Sequence, residues 1–326
     1  MQRFDTKIGE LRKMLESHLK TEITSAQPAS LYDPITYTLE GRGKKLRPIL
    51  LLLTAESLGG SITSALPAAT ALEIVHNFTL VHDDIMDNDA TRRGRPTVHS
   101  RWDNNVALLA GDGLVALAYR TLLKLDSRHL VRICTIFTEG ILELCEGQAL
   151  DRDFETRQSI EMDEYLVMIQ KKTGKLLSMC SQIGGIVADA PEHVVELLRI
   201  FGESLGMAFQ IQDDLLDITA DENILGKDFG SDIKQKKKTF LLVHALESAT
   251  AGQKEKIVQI LNMETIHLEQ VYQLRSIFDE TGTIAATQQA ANNYITKAEN
   301  CLLKINGKAQ TNGLQELAQL ILHRQA

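Results

Sequence analysis

The feature that most restricts the fold of this 326-residue chain is the position of its six prolines, none of which follows Pro191. Proline breaks helices because its ring fixes φ and removes an amide donor, so the rest of the chain lacks this helix breaker. Apolar residues recur there at helical spacing, as in Leu197, Leu198, Phe201, Leu205, Phe209 and Leu216. Strand-like alternation is nearly absent. The sequence therefore predicts an all-α fold, a single domain over residues 1–326 with about a dozen helices packed as a bundle.

Composition excludes several classes of protein. With 44% hydrophobic and 24% charged residues, the chain matches globular proteins that are soluble. The longest apolar run, Pro48 to Leu53, is too short to cross a bilayer, so we expect no stable membrane insertion. The net charge of −8 disfavours nucleic acid as a partner. The four cysteines form no CxxC pair, which favours a reducing, cytoplasmic location.

The N-terminal residues predict a helix of the fold rather than a targeting peptide. Their apolar positions recur at helical spacing with acids between them: Phe4, Ile8, Leu11, Leu15 and Leu19. Two stretches without helical pattern follow later, Asn88 to Pro96 and Asp221 to Lys238. Both come after acid-rich helix ends and carry several cations, which suggests a cation site surrounded by basic loops.

The first acid-rich end is Asp83-Asp84-Ile85-Met86-Asp87, which closes a helical apolar pattern. On a helix, Asp83 and Asp87 share one face at about 5–6 Å. Acids at a helix C-terminus oppose the helix dipole, so an ordinary exposed turn would favour Lys or Arg. Mg²⁺ binds through one or two such carboxylates and completes its shell with waters and phosphates. The first motif alone is compatible both with a magnesium site and with an exposed acidic turn.

A second motif, Asp213-Asp214-Leu215-Leu216-Asp217, closes another apolar helix with the same spacing. Two such ladders on two long helices can face each other across a bundle cavity, which makes Asp213 and Asp217 further candidate ligands. A calcium loop is an alternative, since oxygen-bearing residues alternate at Asp217, Thr219, Asp221 and Asn223. Its sixth position is Glu222 instead of Gly and its twelfth is Asp228 instead of Glu, which disfavours it.

Basic residues accompany both acid motifs, and phosphate is the ligand class that they suit. They lie in Gly43-Lys44-Lys45-Leu46-Arg47-Pro48, Arg92-Arg93, Lys172-Thr173-Gly174, Gly226-Lys227 and Lys236-Lys237-Lys238-Thr239. The segment Gly43 to Pro48 alone is also compatible with a solvated, basic helix start. His76 and Gln210 precede the acid motifs on the same helices, where each is either a satisfied interior group or a diphosphate ligand.

Taken in this order, the motifs resemble those of the trans-isoprenyl diphosphate synthase (polyprenyl synthetase) family, over roughly residues 40 to 240. The resemblance implies the isoprenoid synthase fold, a helical bundle around a central cavity that is usually a homodimer. It also implies a Mg²⁺-dependent prenyltransferase that condenses isopentenyl diphosphate with allylic diphosphates (dimethylallyl, geranyl or farnesyl) by head-to-tail elongation. One departure is Lys236, where the family often has Gly, so the roles of Lys236 and Lys237 stay open.

The resemblance also implies residue roles. The ligands of the magnesium ions that hold the allylic diphosphate would be Asp83, Asp84, Asp87 and Asp213. The contacts to that diphosphate would come from Arg92, Lys172, Thr173, Gln210, Lys227 and Lys237, with Lys172 and Lys227 also acting in catalysis. The isopentenyl diphosphate site would comprise Gly43, Lys44, Arg47, His76 and Arg93.

Product length in this family depends on residues just before the first acid motif, here Phe78 and Thr79. A residue five positions before Asp83 lies roughly 7.5 Å down the helix axis, a distance of one or two isoprene units. Phe78 with no insertion in the motif resembles geranylgeranyl diphosphate synthases, which predicts a twenty-carbon product. Core packing is the other interpretation of Phe78, and farnesyl or longer products are rivals.

Other functions fit the motifs less well. A terpene cyclase also ionises a prenyl diphosphate, but it binds one diphosphate and its second metal motif is normally not another DDxxD. Squalene or phytoene synthases would use differently spaced acids. A non-catalytic subunit of a heteromeric synthase typically loses one acid motif, whereas this chain keeps both.

Overall fold

A computed structural model describes residues 2–23, 27–41, 43–219, 229–305 and 311–322. These residues are mostly helical, and the strands among them are the short β1 (Thr91–Arg92) and β2 (Arg95–Pro96). The helices are α1 (Gln2–Glu22), α2 (Ala29–Leu39), α3 (Leu46–Ser57), α4 (Ile62–Met86), α5 (Val98–Arg101), α6 (Asn104–Leu122), α7 (Leu130–Thr156), α8 (Met162–Ile169), α9 (Lys175–Val187), α10 (Glu192–Thr219), α11 (Ser231–Lys234), α12 (Phe240–Ser248), α13 (Ala251–Leu261), α14 (Leu268–Glu280), α15 (Thr283–Ile305) and α16 (Asn312–Leu322). The all-α prediction is confirmed. No helix in the described ranges has both the length and the hydropathy needed to cross a bilayer.

The contacts group the chain into two compact units. The first comprises Met1–Ile141, Met179–Leu198 and Ile305–Leu317, and the second comprises Leu142–Ser178, Arg199–Lys304 and Ala318–Ala326. The single domain over residues 1–326 stays a prediction. The first acid motif lies in the first unit and the second acid motif lies in the second.

In the first unit, α3 and α4 form the centre of the core. The side chains of Ile49, Leu50, Leu51 and Leu52 on α3 are all fully buried, as expected for a helix that is apolar on every face. Helix α4 packs against α1, α3 and α6. The predicted apolar stripe of α1 is also buried, at Ile8, Leu11, Leu15 and Leu19. This packing fixes α4, whose C-terminal end carries the first acid motif.

A β-hairpin follows α4 and presents two of the predicted cations. Arg93 and Gly94 at its tip both have positive φ, at 53° and 72°, which is the type I′ geometry favoured by two-residue hairpins. Tyr37 of α2 contacts the second strand of the hairpin. Its hydroxyl donates to the Pro96 carbonyl at 2.8 Å, and the Arg95 guanidinium lies 4.0 Å from its ring centre. The predicted non-helical stretch from Asn88 to Pro96 is therefore an ordered hairpin.

The core of the second unit surrounds α8, α10 and α12. It contains the buried side chains of Tyr165, Met168, Met207, Ile211 and Phe240. A second cluster lies between α10, α12, α13 and α14, and it includes Leu215, Leu241, Ile257 and Leu274. These clusters fix the C-terminal half of α10, where the second acid motif lies.

A π-helical segment, Gln170–Gly174, follows α8 in the second unit and carries Lys172 and Thr173. π-Helical turns are uncommon and occur often at functional sites. Two glycines allow neighbouring helices to approach this segment. A Cβ on Gly147 would lie 2.4 Å from the amide nitrogen of Lys172, and a Cβ on Gly206 would lie 2.6 Å from the Cα of Gly174.

The second stretch that we expected to be non-helical, Asp221 to Lys238, departs from that expectation. Residues 220–228 lie outside the described ranges, but Ser231–Lys234 forms the short helix α11. The helix begins after Gly230, whose φ of 66° reverses the chain direction. This helix has only four residues, which is too short for hydrophobic periodicity to reveal it.

The contact between Gly147 and the π-helical segment yields a test. Gly147→Ala adds a methyl group against backbone that cannot rotate away, and such overpacking costs about 1–3 kcal/mol. Alanine is better than glycine in a helix by about 1 kcal/mol, so we expect net destabilisation in urea unfolding. Gly9→Ala on α1 is the matched control, because a Cβ at that position would meet no atom within 4 Å, and it should gain stability. Equal stability of the two variants would contradict the packing argument.

Candidate active site

The first acid motif occupies the last turn of α4. Asp83 is half-buried, Asp87 is exposed, and the Asp87 amide donates to the Asp83 carbonyl at 2.8 Å. This helical bond keeps the two side chains on one face, as the spacing predicts. Both carboxylates therefore lie where an ion and solvent have access.

Asp84 has a different environment from the other two aspartates. It is buried and accepts a hydrogen bond from Arg92 Nε on the hairpin. Burial raises the pKa of the Asp84 carboxyl, and the Arg92 charge opposes this rise. Arg92 also lies 3.3 Å from Asp89. The salt bridge thus joins the hairpin to the acid motif, and the predicted metal role of Asp84 stays a prediction.

Four of the residues expected to bind isopentenyl diphosphate lie close together in the first unit. A Cβ on Gly43 would lie 2.7 Å from Arg93 Nη1, so glycine makes room for that guanidinium. Arg47 Nη1 lies 3.3 Å from His76 Nε2. Because a guanidinium can only donate, Nε2 accepts this bond and carries no proton. Lys44 follows Gly43 and is exposed.

The electrostatic field around His76 is strongly positive. Burial lowers the pKa of the His76 imidazole well below its usual value, and the charges of Arg47, Arg93, Lys45 and Arg92 lower it further. A neutral histidine surrounded by guanidinium and ammonium groups is an environment suited to an anion. The sequence left the role of His76 open between an interior group and a ligand, and this field favours the ligand.

A buried ion pair beneath this cluster escaped the sequence analysis. Lys45 Nζ donates to Glu73 Oε1 at 2.8 Å, and both side chains are only 3% exposed. Asn77 of the same helix donates to the same oxygen at 2.9 Å. Lys45 has a φ of 52° at the start of α3. The pair fixes the backbone between Gly43 and Arg47, and its only sequence signal was a Glu on the apolar face of α4.

The two candidate chain-length residues have different surroundings. Phe78 is 9% exposed, and its ring packs edge-on against His82 with 4.8 Å between ring centres. His82 in turn fits against Gly111 of α6, where a Cβ would lie 2.0 Å from Nε2. The Thr79 hydroxyl donates to the His76 carbonyl of its own helix at 2.9 Å. Phe78 is therefore the larger of the two side chains, and its ring is held in place by His82.

In the second unit, Gln210 and Asp214 form the centre of a hydrogen-bond chain. Thr173 Oγ1 donates to Gln210 Oε1 at 2.9 Å, and Gln210 Nε2 donates to Asp214 Oδ1 at 3.0 Å. Asp214 Oδ2 accepts from the Tyr165 hydroxyl at 2.6 Å and from the Phe240 amide at 2.9 Å. Gln210 therefore has a partner for both its amide oxygen and its amide nitrogen, and both carboxylate oxygens of Asp214 accept hydrogen bonds.

Burial dominates the acidity of Asp214. Burial and then the nearby charge of Asp232 raise the pKa of the Asp214 carboxyl to about 7, although hydrogen bonds from Tyr165 and Gln210 oppose this rise. Burial also raises the pKa of the Tyr165 phenol, so it remains a donor. Asp213 beside it is half-buried.

A polar pocket in the second unit brings together most of the residues predicted there. Its lining includes Asp151, Lys172, Thr173, Gln210, Asp213, Lys237 and Lys238. Lys172 Nζ forms a salt bridge with Asp151 of α7. We did not predict Asp151, because it lies near the end of α7 among acids that lack the DDxxD spacing. The pocket thus combines acids with at least three lysines.

The structure separates the roles of the lysines in the segment Lys236-Lys237-Lys238-Thr239, where the sequence departs from the family pattern. Lys236 has a φ of 58°, in the region of backbone conformation that favours glycine. Its Nζ donates to the Met263 carbonyl at 2.6 Å. Lys237 and Lys238 line the pocket instead, and burial lowers the pKa of Lys238. Lys227 lies outside the described residues.

Asp217, a candidate metal ligand, has both carboxylate oxygens in hydrogen bonds. Oδ1 accepts from the amide and hydroxyl of Ser231, and Oδ2 accepts from the Asp232 amide. Its role as a metal ligand stays a prediction. Asp213 lines the pocket, and Asp217 is not among the described residues that do.

The acid residues fit magnesium better than a metal held by protein alone. No group of three or more His, Cys, Asp or Glu side chains suited to an ion occurs among the described residues. Mg²⁺ needs only one or two carboxylates when phosphates and waters complete its octahedron. Asp83 with Asp87, and Asp213 in its lysine-rich pocket, offer this chemistry.

Comparisons with known proteins agree with the motifs. Residues 28–278 match the polyprenyl synthetase family. The chain is 37% identical to a geranylgeranyl diphosphate synthase of Sulfolobus acidocaldarius over 330 residues, 99% of each chain. It is 36% identical to a geranylgeranyl diphosphate synthase of Methanosarcina mazei over 301 residues, 92% of this chain and 91% of the relative. The crystal structure of geranylgeranyl pyrophosphate synthetase from Pyrococcus horikoshii Ot3 matches 99% of each chain with a TM-score of 0.92 and 36% identity.

The lowered pKa of His76 predicts a pH dependence of stability. Below about pH 6.5 the imidazole of His76 is protonated in the unfolded chain but stays neutral in the folded chain. The free energy of unfolding therefore falls by up to about 1.4 kcal/mol per pH unit as the pH drops. Above that pH the contribution is constant. We expect the stability difference between pH 7.5 and pH 5.5, measured by urea unfolding, to be smaller in His76→Gln than in the unmodified chain. The same difference in both proteins would contradict a buried neutral imidazole.

Proposed function

The chain belongs to the polyprenyl synthetase family, and from this membership we infer that it is a trans-prenyltransferase acting on isoprenoid diphosphates. Its substrates are isopentenyl diphosphate and an allylic prenyl diphosphate, which it joins head to tail. The proposed product is geranylgeranyl diphosphate, the product in the names of the relatives from S. acidocaldarius and M. mazei.

One observation carries this proposal: the first unit contains a cationic cluster beside its acid motif, in addition to the arginine that pairs with Asp84. Arg47 beside His76, and Arg93 against Gly43, form an anion site that needs no metal. The acid motif at Asp83 suits a metal-bound diphosphate. A cyclase that ionises a single diphosphate needs the second arrangement but not the first. Elongation binds two diphosphates, and the chain offers chemistry for both.

The residues support ionisation of the allylic substrate. Breaking its carbon–oxygen bond leaves both electrons on the diphosphate, and positive groups placed where this charge develops lower the barrier. Lys172, Lys237 and Lys238 supply such charge around the pocket of the second unit. Asp83 and Asp87 in the first unit, and Asp213 in the second, are the carboxylates that would hold magnesium, which would supply Lewis-acid stabilisation of charge on a diphosphate.

In the second half of the reaction, isopentenyl diphosphate must be bound through its diphosphate group so that its double bond remains accessible to the allylic carbon. Arg47, Arg93 and Lys44 bind this group through their positive charges. Neutral His76 accepts a hydrogen bond from Arg47 and so orients its guanidinium group. The double bond then attacks the allylic carbon, which forms the new carbon–carbon bond and leaves a tertiary carbocation. Loss of a proton from a neighbouring carbon to the departed diphosphate restores a double bond. No side-chain nucleophile is required.

A product assay tests the function. Purified protein with magnesium, labelled isopentenyl diphosphate and geranyl or farnesyl diphosphate should give geranylgeranyl diphosphate. Asp83→Ala and Asp213→Ala should each lose at least about 100-fold in turnover, since each removes stabilisation of developing charge. Exposed Asp279 of α14 provides the control variant Asp279→Ala, with full activity expected. All three should unfold at similar urea concentrations. Near-normal turnover in Asp83→Ala and Asp213→Ala would overturn the assignment.

Product length gives a further prediction. Phe78→Ala removes the braced ring that lies about one and a half helical turns before Asp83, which opens space for roughly one more isoprene unit. We expect products longer than twenty carbons on thin-layer separation. Leu72→Ala, a fully buried site on the same helix, controls for a cavity elsewhere and should leave product length unchanged. An unchanged product in Phe78→Ala would exclude this residue as the floor of the cavity.

A further inference from the structure

The segment 229–240, here called the lysine loop, carries Lys236, Lys237 and Lys238 back to the second acid motif. We propose that Asp217 and Asp214 are positioning residues that fasten the two ends of the lysine loop, and that Asp217 is not a metal ligand. This proposal rests on the proposed function, since the loop supplies cations for the allylic diphosphate. It divides the acid motif into one aspartate that faces the pocket and two that hold the loop.

Asp217 fastens the first end of the lysine loop. Its Oδ1 accepts from the Ser231 amide at 3.1 Å and from the Ser231 hydroxyl at 2.7 Å, and its Oδ2 accepts from the Asp232 amide at 3.1 Å. The Asp217 carbonyl accepts from the Gly230 amide at 2.9 Å. Asp217 is 7% exposed. Four hydrogen bonds thus join this residue to three successive residues of the loop.

These bonds compete with metal coordination. Oδ1 already accepts two hydrogen bonds and Oδ2 accepts one, so a metal ion at Asp217 would have to share Oδ2 with the Asp232 amide or displace a donor from Oδ1. Either change weakens the bonds to the amides at the start of α11, where the first amides of a helix have no partner within the helix. Asp213, one helical turn away, lines the pocket. The second motif therefore presents its first aspartate to the ligand and uses its last one as a cap.

Asp214 fastens the other end. Its Oδ2 accepts from the amide of Phe240, two residues after Lys238, at 2.9 Å, and also from the Tyr165 hydroxyl at 2.6 Å. Its Oδ1 accepts from Gln210 at 3.0 Å. Asp214 is 3% exposed. The same short stretch of α10 thus holds both ends of the loop.

The cations lie between these two fastened ends. The Lys237 amide donates to the Asp232 carbonyl at 2.9 Å, and Lys237 Nζ lies 3.8 Å from Asp232 Oδ1. Lys237, Lys238 and Thr239 line the pocket. Displacement of Asp232 at the first end would therefore move Lys237 with it. The position of the positive charge in the pocket depends on the Asp217 cap.

Hydrogen exchange of the full chain, without metal or substrate, tests the fastening directly. In Asp217→Ala we expect amide exchange in peptides covering residues 229–240 to be about tenfold faster, because the capping bonds are lost. Ser231→Ala removes one of these bonds from the loop side and should give a smaller increase. Asp213→Ala is the matched control and should leave exchange unchanged. Unchanged exchange in Asp217→Ala would overturn the proposal.

Kinetics separate a positioning role from metal binding. Asp217→Ala should raise the KM for geranyl diphosphate about tenfold, as expected for a displaced charge-assisted contact. The KM for isopentenyl diphosphate and the half-saturating magnesium concentration should stay within about twofold. Asp217→Asn keeps one oxygen as an acceptor and should recover part of the loss. A large rise in the magnesium requirement of Asp217→Ala, with unchanged KM, would identify a metal ligand and overturn the proposal.

Ser231→Ala distinguishes the two roles from the other side of the contact. A metal-ligand role for Asp217 predicts no effect of this change on geranyl diphosphate binding, whereas the proposed fastening predicts a KM shift in the same direction as Asp217→Ala. An unchanged KM would count against the proposal. The exchange experiment needs no turnover, so its result stands even if the unmodified protein fails to elongate geranyl diphosphate.

Discussion

Charge compensation in an apolar helical framework is the constraint on which this structure depends. A protein that holds diphosphates must place several like charges close together, and each costs free energy unless a partner satisfies it. The chain meets this requirement before any ligand is bound. Arg92 neutralises Asp84, Glu73 neutralises Lys45, and Asp151 pairs with Lys172. The acid and basic motifs are therefore parts of networks rather than isolated ligand groups.

These networks also explain why the two acid motifs differ internally although their spacing is the same. In the first motif, Asp84 is buried and accepts a hydrogen bond from Arg92 of the hairpin, while Asp83 is half-buried. In the second, Asp214 is buried among three donors while Asp213 lines the pocket. In each motif the second aspartate faces inward, because adjacent residues on a helix point about 100° apart. In each motif the buried aspartate bonds to a segment that carries cations, and the more exposed aspartate before it is the one that we propose as a metal ligand.

Close backbone approach is the second condition for the site. Gly43 leaves room for the Arg93 guanidinium, and Gly147 leaves room for the π-helical segment that carries Lys172. Lys236 shows the reverse case, a bulky residue in a conformation that favours glycine. Its side chain bonds to Met263 away from the pocket. The sequence departure at this position therefore changes the backbone preference of the turn and leaves Lys237 and Lys238 in the lining.

The sequence alone determined the helices and the local composition of the site, because helical periodicity and the spacing within one motif are properties of neighbouring residues. It identified the helical stripe of α1, the helix end at Asp83 and the acids at Asp213. Only the tertiary structure decided which partner each charge has. The pairs Lys45–Glu73 and Lys172–Asp151, and the cap that Asp217 forms on Ser231, join residues that are 14 to 28 positions apart. Such contacts depend on how helices pack, and side-chain periodicity along one helix carries no information about the charge that will face it.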